Sequence, residues 1–165
     1  MSHPVYIESQ FASVVWTVLP IASLAGFLLR YNLPDHAARH AAIGIIALVN
    51  IIVLVLMGRL TISIDEAYLR WHFGYLGWPA WKIPLAEIRA AEAARSRWIE
   101  GWGIKYTKEG MLYNAAGTSA VRIHRRNGKS LRLGCKDPQR LLGYLAPRIA
   151  SAAASSHARG AARWS

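Results

Sequence analysis

Residues 41–73 read AAIGIIALVNIIVLVLMGRLTISIDEAYLRWHF, and the fold turns on the change of rhythm at Gly58. Ala41 to Gly58 is a run of 18 residues without a charge. At 1.5 Å per residue it is about long enough to cross a ~30 Å hydrocarbon core. Beyond it, Ile62 and Ile64 alternate with Thr61 and Ser63. After Asp65-Glu66-Ala67, the residues Leu69, Trp71 and Phe73 alternate with Tyr68, Arg70 and His72. A period of two marks strands with one buried face, so a β-hairpin is expected directly after an apolar helix.

Toward the N-terminus a second uncharged run, Phe11 to Leu29 (FASVVWTVLPIASLAGFLL), covers 19 residues. A cleaved signal peptide is the rival reading, but residues 1–10 contain no Lys or Arg and the run exceeds a usual signal-peptide core. The short Arg30–His40 connection then forces an antiparallel transmembrane hairpin over residues 11–58, with helices at about 11–29 and 36–58 and residues 1–10 as a tail. Pro34-Asp35 supplies the start signal of the second helix. Pro20 falls inside the first helix and frees the carbonyls of Trp16 and Thr17, which is costly in lipid without a donor. In a level hairpin, residues whose numbers sum to about 70 share a depth, so Asn50 is expected opposite Pro20. Its amide, or else the Thr17 hydroxyl, would fill the gap as glue between the helices. A polar transport site is the alternative, but two helices with no ionisable group in their uncharged runs cannot enclose a pathway.

Charge divides the chain in the same way. Of 20 basic and 9 acidic residues, five lie in residues 1–59 and 24 in residues 60–165, with net charges of +1 and +10. The abundance of apolar residues and the single cysteine exclude disorder and a disulfide scaffold. The positive-inside count ties, with Arg30 and Arg39 against Arg59 and Arg70. The basic C-terminal part and the unpaired Cys135 suit a reducing, anionic face. Both termini are therefore expected in the cytoplasm of a multi-pass inner (plasma) membrane protein.

Further strands are expected at Trp78–Ile83, Ile88–Ala94, Trp102–Thr107, Met111–Ala115, Ala120–Arg125 and Lys129–Leu133. Asp137-Pro138 opens an amphipathic helix bearing Leu141, Leu142, Leu145 and Ile149, which Pro147 should kink or end near Ala146. Residues 151–165 (SAAASSHARGAARWS) read as a disordered tail, with Arg159, Arg163 and Trp164 as a weak lipid hint.

In Leu60-Thr61-Ile62-Ser63-Ile64 leading to Leu69-Arg70-Trp71, Ile83-Pro84-Leu85-Ala86-Glu87-Ile88, Gly101-Trp102-Gly103-Ile104, Val121-Arg122-Ile123 with Asn127-Gly128-Lys129, and Asp137-Pro138, the chain resembles the bacterial pleckstrin-homology-like (PH-like) membrane proteins that carry an N-terminal two-helix hairpin. The resemblance implies a membrane protein of α+β class, with a PH-like antiparallel β-roll or barrel of about seven strands over residues 59–150 and a C-terminal helix. It also implies a non-catalytic cytoplasmic module. Phosphoinositide recognition does not carry over, because the first hairpin loop holds Asp65 and Glu66, which repel phosphate.

The candidate site is the hairpin VRIHRRNGKSLRL. Keeping Val121 and Ile123 on one face with Leu131 and Leu133 requires paired numbers with an even sum. A three-residue loop, Arg126-Asn127-Gly128, satisfies this, with Gly128 left-handed, Ile123 opposite Leu131 and Arg122 opposite Arg132. Arg122, Arg125, Arg126, Lys129 and Arg132 then form a basic patch beside His124. Facing like charges are destabilising, so an incoming anion would explain the cluster, and a solvated strand face is the bland alternative. Anionic lipid headgroups are the nearer anion, and a membrane or cytoplasmic protein is the other partner weighed.

Nucleic acid is not expected, since no DNA- or RNA-binding motif is present and Trp71, Phe73, Trp102 and Tyr106 fall at core spacing. His36 and His40 share a helical face but lack a third ligand beyond the distant His3, and Cys135 lacks a His partner, so neither makes a metal or nucleophile site. No catalytic carboxylate pair or phosphate-binding glycine loop is legible, and no residue asks for a cofactor. The expectation is a tethered interaction or scaffolding module. A sensor of anionic lipid is the second reading and a membrane-bound enzyme the remaining one.

Overall fold

A computed structural model describes residues 4–30, 35–96 and 103–161. The apolar runs form α1 (Ser13–Leu29) and α2 (His36–Met57). Asp35 caps α2, its carboxylate accepting from the Ala38 amide at 2.6 Å. The 22 residues of α2 extend ~33 Å, long and apolar enough by length and composition to cross a membrane. The 17 residues of α1 are as apolar but reach only ~26 Å. The two helices lie against each other where Gly26 leaves room for the Ile46 side chain.

Each helix is continuous with a strand. Residues 6–10, expected as part of a tail, belong to β1 (Tyr6–Phe11), which pairs antiparallel with β2 (Arg59–Ile64) from Tyr6↔Ile64 to Phe11↔Arg59. The Ala12 amide extends the ladder to the Gly58 carbonyl. Strand β1 turns a polar edge inward, Tyr6, Glu8 and Gln10, while Ile7 and Phe11 face out and are exposed. Those inward groups are satisfied by distant chain: Gln10 Nε2 donates to the Gly134 carbonyl at 2.9 Å, and the Lys136 amide donates to Glu8 Oε1 at 2.5 Å. Burial and the hydrogen bond to Glu8 push the Tyr6 phenol far above its ordinary pKa.

The first sheet has the order β1-β2-β3-β4, with β3 at Tyr68–Phe73 and β4 at Ala80–Pro84. A 3-10 turn at Leu85–Glu87 leads to the second sheet, ordered β5-β8-β9-β7-β6. Its strands are β5 (Ile88–Arg95), β6 (Gly103–Thr107), β7 (Gly110–Asn114), β8 (Ser119–Arg125) and β9 (Ser130–Gly134). Among the described residues nine strands in two sheets thus stand where about seven were expected. The sheet is not wholly antiparallel either, because β7 and β9 run parallel. Gly110 permits their approach: a Cβ there would stand 1.9 Å from the Ser130 carbonyl oxygen.

Between the sheets lie Leu60, Ile62, Ile64, Leu69, Trp71 and Phe73 from one side and Val121, Ile123 and Leu133 from the other, all buried. The Trp71 ring meets Tyr113 edge-on at 5.1 Å between centroids. Helix α3 (Pro138–Ala161) closes the core with Leu141 and Leu145, with Leu142 and Ile149 partly buried beside them. It runs through Pro147 and through most of the segment expected to be disordered. Alanine is the strongest helix former, and Ala152 packs against the core, so the small-residue segment after Ile149 extends the helix.

Candidate functional site

The basic hairpin has the register that its alternation demands. Ile123 faces Leu131 and Arg122 faces Arg132. Gly128 takes φ +80°, the Arg125 amide donates to the Lys129 carbonyl at 2.9 Å, and the Lys129 amide donates to Asn127 Oδ1 at 3.1 Å. The arginine pair, however, already has anions from its own chain. Arg122 donates to Glu92 Oε1 on β5 at 3.3 Å and to Glu109 in the β6–β7 turn. Arg125 pairs with Glu87 of the 3-10 turn. His124 Nε2 lies 3.1 Å from the same Glu92 oxygen, and this hydrogen bond is the main cause holding the Glu92 carboxyl below its ordinary pKa.

Arg132 departs furthest from expectation. It was expected on the solvated outer face, yet it is 3% exposed, with its Nε 3.7 Å from Glu109. Strand β9 is interior to the sheet, flanked by β8 and β7, and the β6–β7 turn brings Glu109 to both arginines. The three carboxylates Glu87, Glu92 and Glu109 are the residues that sequence reasoning missed. Glu92 could have been found, since β5 pairs with β8 and sets Glu92 directly opposite Arg122.

Arg126 and Lys129 remain at the tip, exposed and without an ion pair among the described residues. Arg126 Nε donates to the Ala86 carbonyl at 2.8 Å and its amide to the Glu87 carbonyl, which fixes the tip beside the 3-10 turn. That turn in turn lies by the β2–β3 loop, where the Leu85 amide donates to the Ala67 carbonyl. Strand β2 starts at Arg59, next to the end of α2, and at about 3.3 Å per residue its far end is roughly 20 Å away. The basic tip therefore sits at the end of the first sheet remote from the helices.

The polar contact between α1 and α2 is displaced from its expected place. Asn50 Nδ2 donates to Ser23 Oγ at 2.6 Å and to the Ile46 carbonyl at 2.9 Å, and not to the carbonyls freed by Pro20. Thr17 Oγ1 donates to Ser13 within its own helix. Ser23 lies about one turn beyond Pro20, and its hydroxyl, donating to the Leu19 carbonyl, presents an oxygen to Asn50.

Of the aromatics expected at core spacing, Trp71 and Phe73 are buried, Tyr106 is 84% exposed on the edge strand β6, and Trp102 lies outside the described residues. Cys135 is buried, and burial pushes its thiol up to about 12. Among the described residues, no group of three or more His, Cys, Asp or Glu is arranged to hold a metal ion. No family model matches the chain, and no curated protein matches it.

Proposed function

We propose that the chain is a two-helix inner-membrane protein with both termini cytoplasmic, and that its α+β domain is a PH-like, non-catalytic interaction module. The observation that carries this reading is the junction at Ala12 and Gly58. Two apolar helices, with Trp16, Ile21, Leu24, Ile45, Leu48 and Ile52 all exposed, continue without a linker into paired strands of the domain. So large an apolar surface requires a nonaqueous environment or a partner, and lipid meets that need for a hairpin whose charged residues are confined to the region of its turn. Two sheets closed by a C-terminal helix support the PH-like reading, while β1 and the parallel β7–β9 pair are departures from a simple antiparallel roll.

Within that frame the exposed cations Arg126 and Lys129 are the contact point, carried roughly 20 Å from the helix ends along β2. That distance exceeds the Debye length of about 8 Å at physiological salt, which favours a partner in the aqueous phase over headgroups of the same bilayer. Affinity capture with the detergent-solubilised full chain tests this, comparing wild type with an Arg126→Glu, Lys129→Glu double variant. A protein held by the wild type and lost from the variant is expected. Equal capture by both, with binding to phosphatidylglycerol vesicles lost in the variant, would assign the tip to lipid and overturn the interaction reading.

A further inference from the structure

The β3–β4 connection, Gly74 to Pro79, returns the chain to the last turn of α2. The Tyr75 amide donates to the Val55 carbonyl at 2.9 Å, and the Gly74 amide donates to the Arg59 carbonyl at 2.7 Å. The Phe73 amide, donating to the Pro79 carbonyl at 2.9 Å, closes the base of the loop. The final carbonyls of a helix have no donor within it, and the Tyr75 amide supplies one. Gly74 makes the approach feasible: its φ is +71°, and a Cβ there would stand 2.5 Å from the Val55 oxygen. The tip is thus fixed by backbone hydrogen bonds at the level where α2 ends.

Its side chains nevertheless stay open to the surroundings, although the Tyr75 ring also lies beside Gly58. Leu76 is 74% exposed, Trp78 64% and Tyr75 46%. Phe11, which pairs with Arg59 at the ends of β1 and β2, and Trp16 in the first turn of α1 are also exposed at the base of the hairpin. Tryptophan and tyrosine beside an arginine, at the end of an apolar helix, form the composition that gathers at the boundary between lipid and water, where an amphipathic ring has both of its media.

We infer that the Gly74–Pro79 loop is a membrane-interface anchor, with Tyr75, Leu76 and Trp78 seated among the headgroups and upper acyl chains of the leaflet in which α2 ends. This rests on the membrane-spanning reading of α1 and α2. Continuity selects the bilayer as occupant, since the exposed loop residues adjoin the exposed apolar surface of the helices. With three attachments to one leaflet, the domain is held in a fixed attitude and does not swing on its helices.

Full-length variants with one added cysteine each test the anchor, because Cys135 is buried and does not compete for label. Leu76→Cys, Ile52→Cys and Glu66→Cys variants are labelled with bimane and reconstituted in phosphatidylcholine vesicles carrying brominated acyl chains. Ile52 reports the apolar C-terminal half of α2, inside the helix end, and Glu66 is exposed at the far end of β2. Strong quenching at the Ile52 position, and several-fold more quenching at the Leu76 position than at the Glu66 position, is the expected result. Deep quenching at the Ile52 position with Leu76 no different from Glu66 overturns the anchor and leaves the span intact. No quenching at the Ile52 position overturns both.

Discussion

The Gln10 side chain donates to the Gly134 carbonyl at 2.9 Å, a bond between residues 124 apart that is buried inside the domain. It fastens β1, and with it the start of α1, to the end of β9. Gln10→Ala would leave a buried carbonyl unsatisfied, at a cost on the order of 1–3 kcal/mol. A lower thermal midpoint of the purified full chain is expected, and an unchanged midpoint would show that β1 is an ornament on the sheet.

Across the helical hairpin, Asn50 donates to Ser23 Oγ at 2.6 Å. Hydrogen bonds of this kind contribute about 0.6–2 kcal/mol in membranes. Asn50→Leu and Ser23→Ala should each loosen the hairpin, and the double variant should lose less than their sum. Additive losses in a detergent unfolding cycle would deny the contact.

Gly74 is bound to its conformation by the nearness of α2. Gly74→Ala adds a Cβ 2.5 Å from the Val55 oxygen at a φ of +71°, so it should destabilise by roughly 1–3 kcal/mol, the range for a strained backbone. Gly117, also at positive φ but with open space around it, is the control: Gly117→Ala should cost less in the same melting experiment.

Asp65 turns the β2–β3 loop by accepting from the Ala67 and Tyr68 amides at 2.8 and 2.6 Å and from Arg70 Nε at 2.9 Å. Burial pulls its pKa up, but these donors together hold it below the ordinary carboxylate value. A depressed pKa means that the unfolded chain takes up the proton first, so stability is full above the usual carboxylate range and falls as the pH drops through the folded value. Asp65→Asn should flatten the acid limb of the stability profile. An acid limb of equal slope in both proteins would contradict the assignment.

Cys135 carries the opposite sign. With its thiol raised to about 12 by burial, the contribution is full below the unfolded value and is lost as the pH rises toward 12. At neutral pH the thiol should react with maleimide only after denaturation, as followed by mass spectrometry. Rapid labelling of the native protein would refute its burial.

What could be read from sequence alone follows from where each residue's partners lie. The pairing of Ile123 with Leu131 was legible because a period of two demands an even-sum register and the three-residue loop at Asn127-Gly128 then selects one. The β2–β3 hairpin was legible from its alternation. Strand β1 was not, since its inward residues Tyr6, Glu8 and Gln10 are polar and their partners Gly134 and Lys136 come from the other end of the chain. The burial of Arg132 was hidden likewise, because Glu109 reaches it from a separate hairpin. At Pro20 the depth argument came within about a turn of the contact, and Asn50 meets Ser23 instead. In the C-terminal segment, alanine content outweighed the breaking effect of Pro147.

The most direct measurement of the central claim is extraction of membranes from cells expressing the full chain. An α2 of 22 residues that is uncharged from Ala41 onward, paired with α1 and joined to the domain through Ala12 and Gly58, should keep the protein in the pellet after alkaline carbonate and release it only with detergent. Release into the carbonate supernatant would mean that the hairpin does not span a bilayer, and that its exposed apolar faces are covered by protein instead.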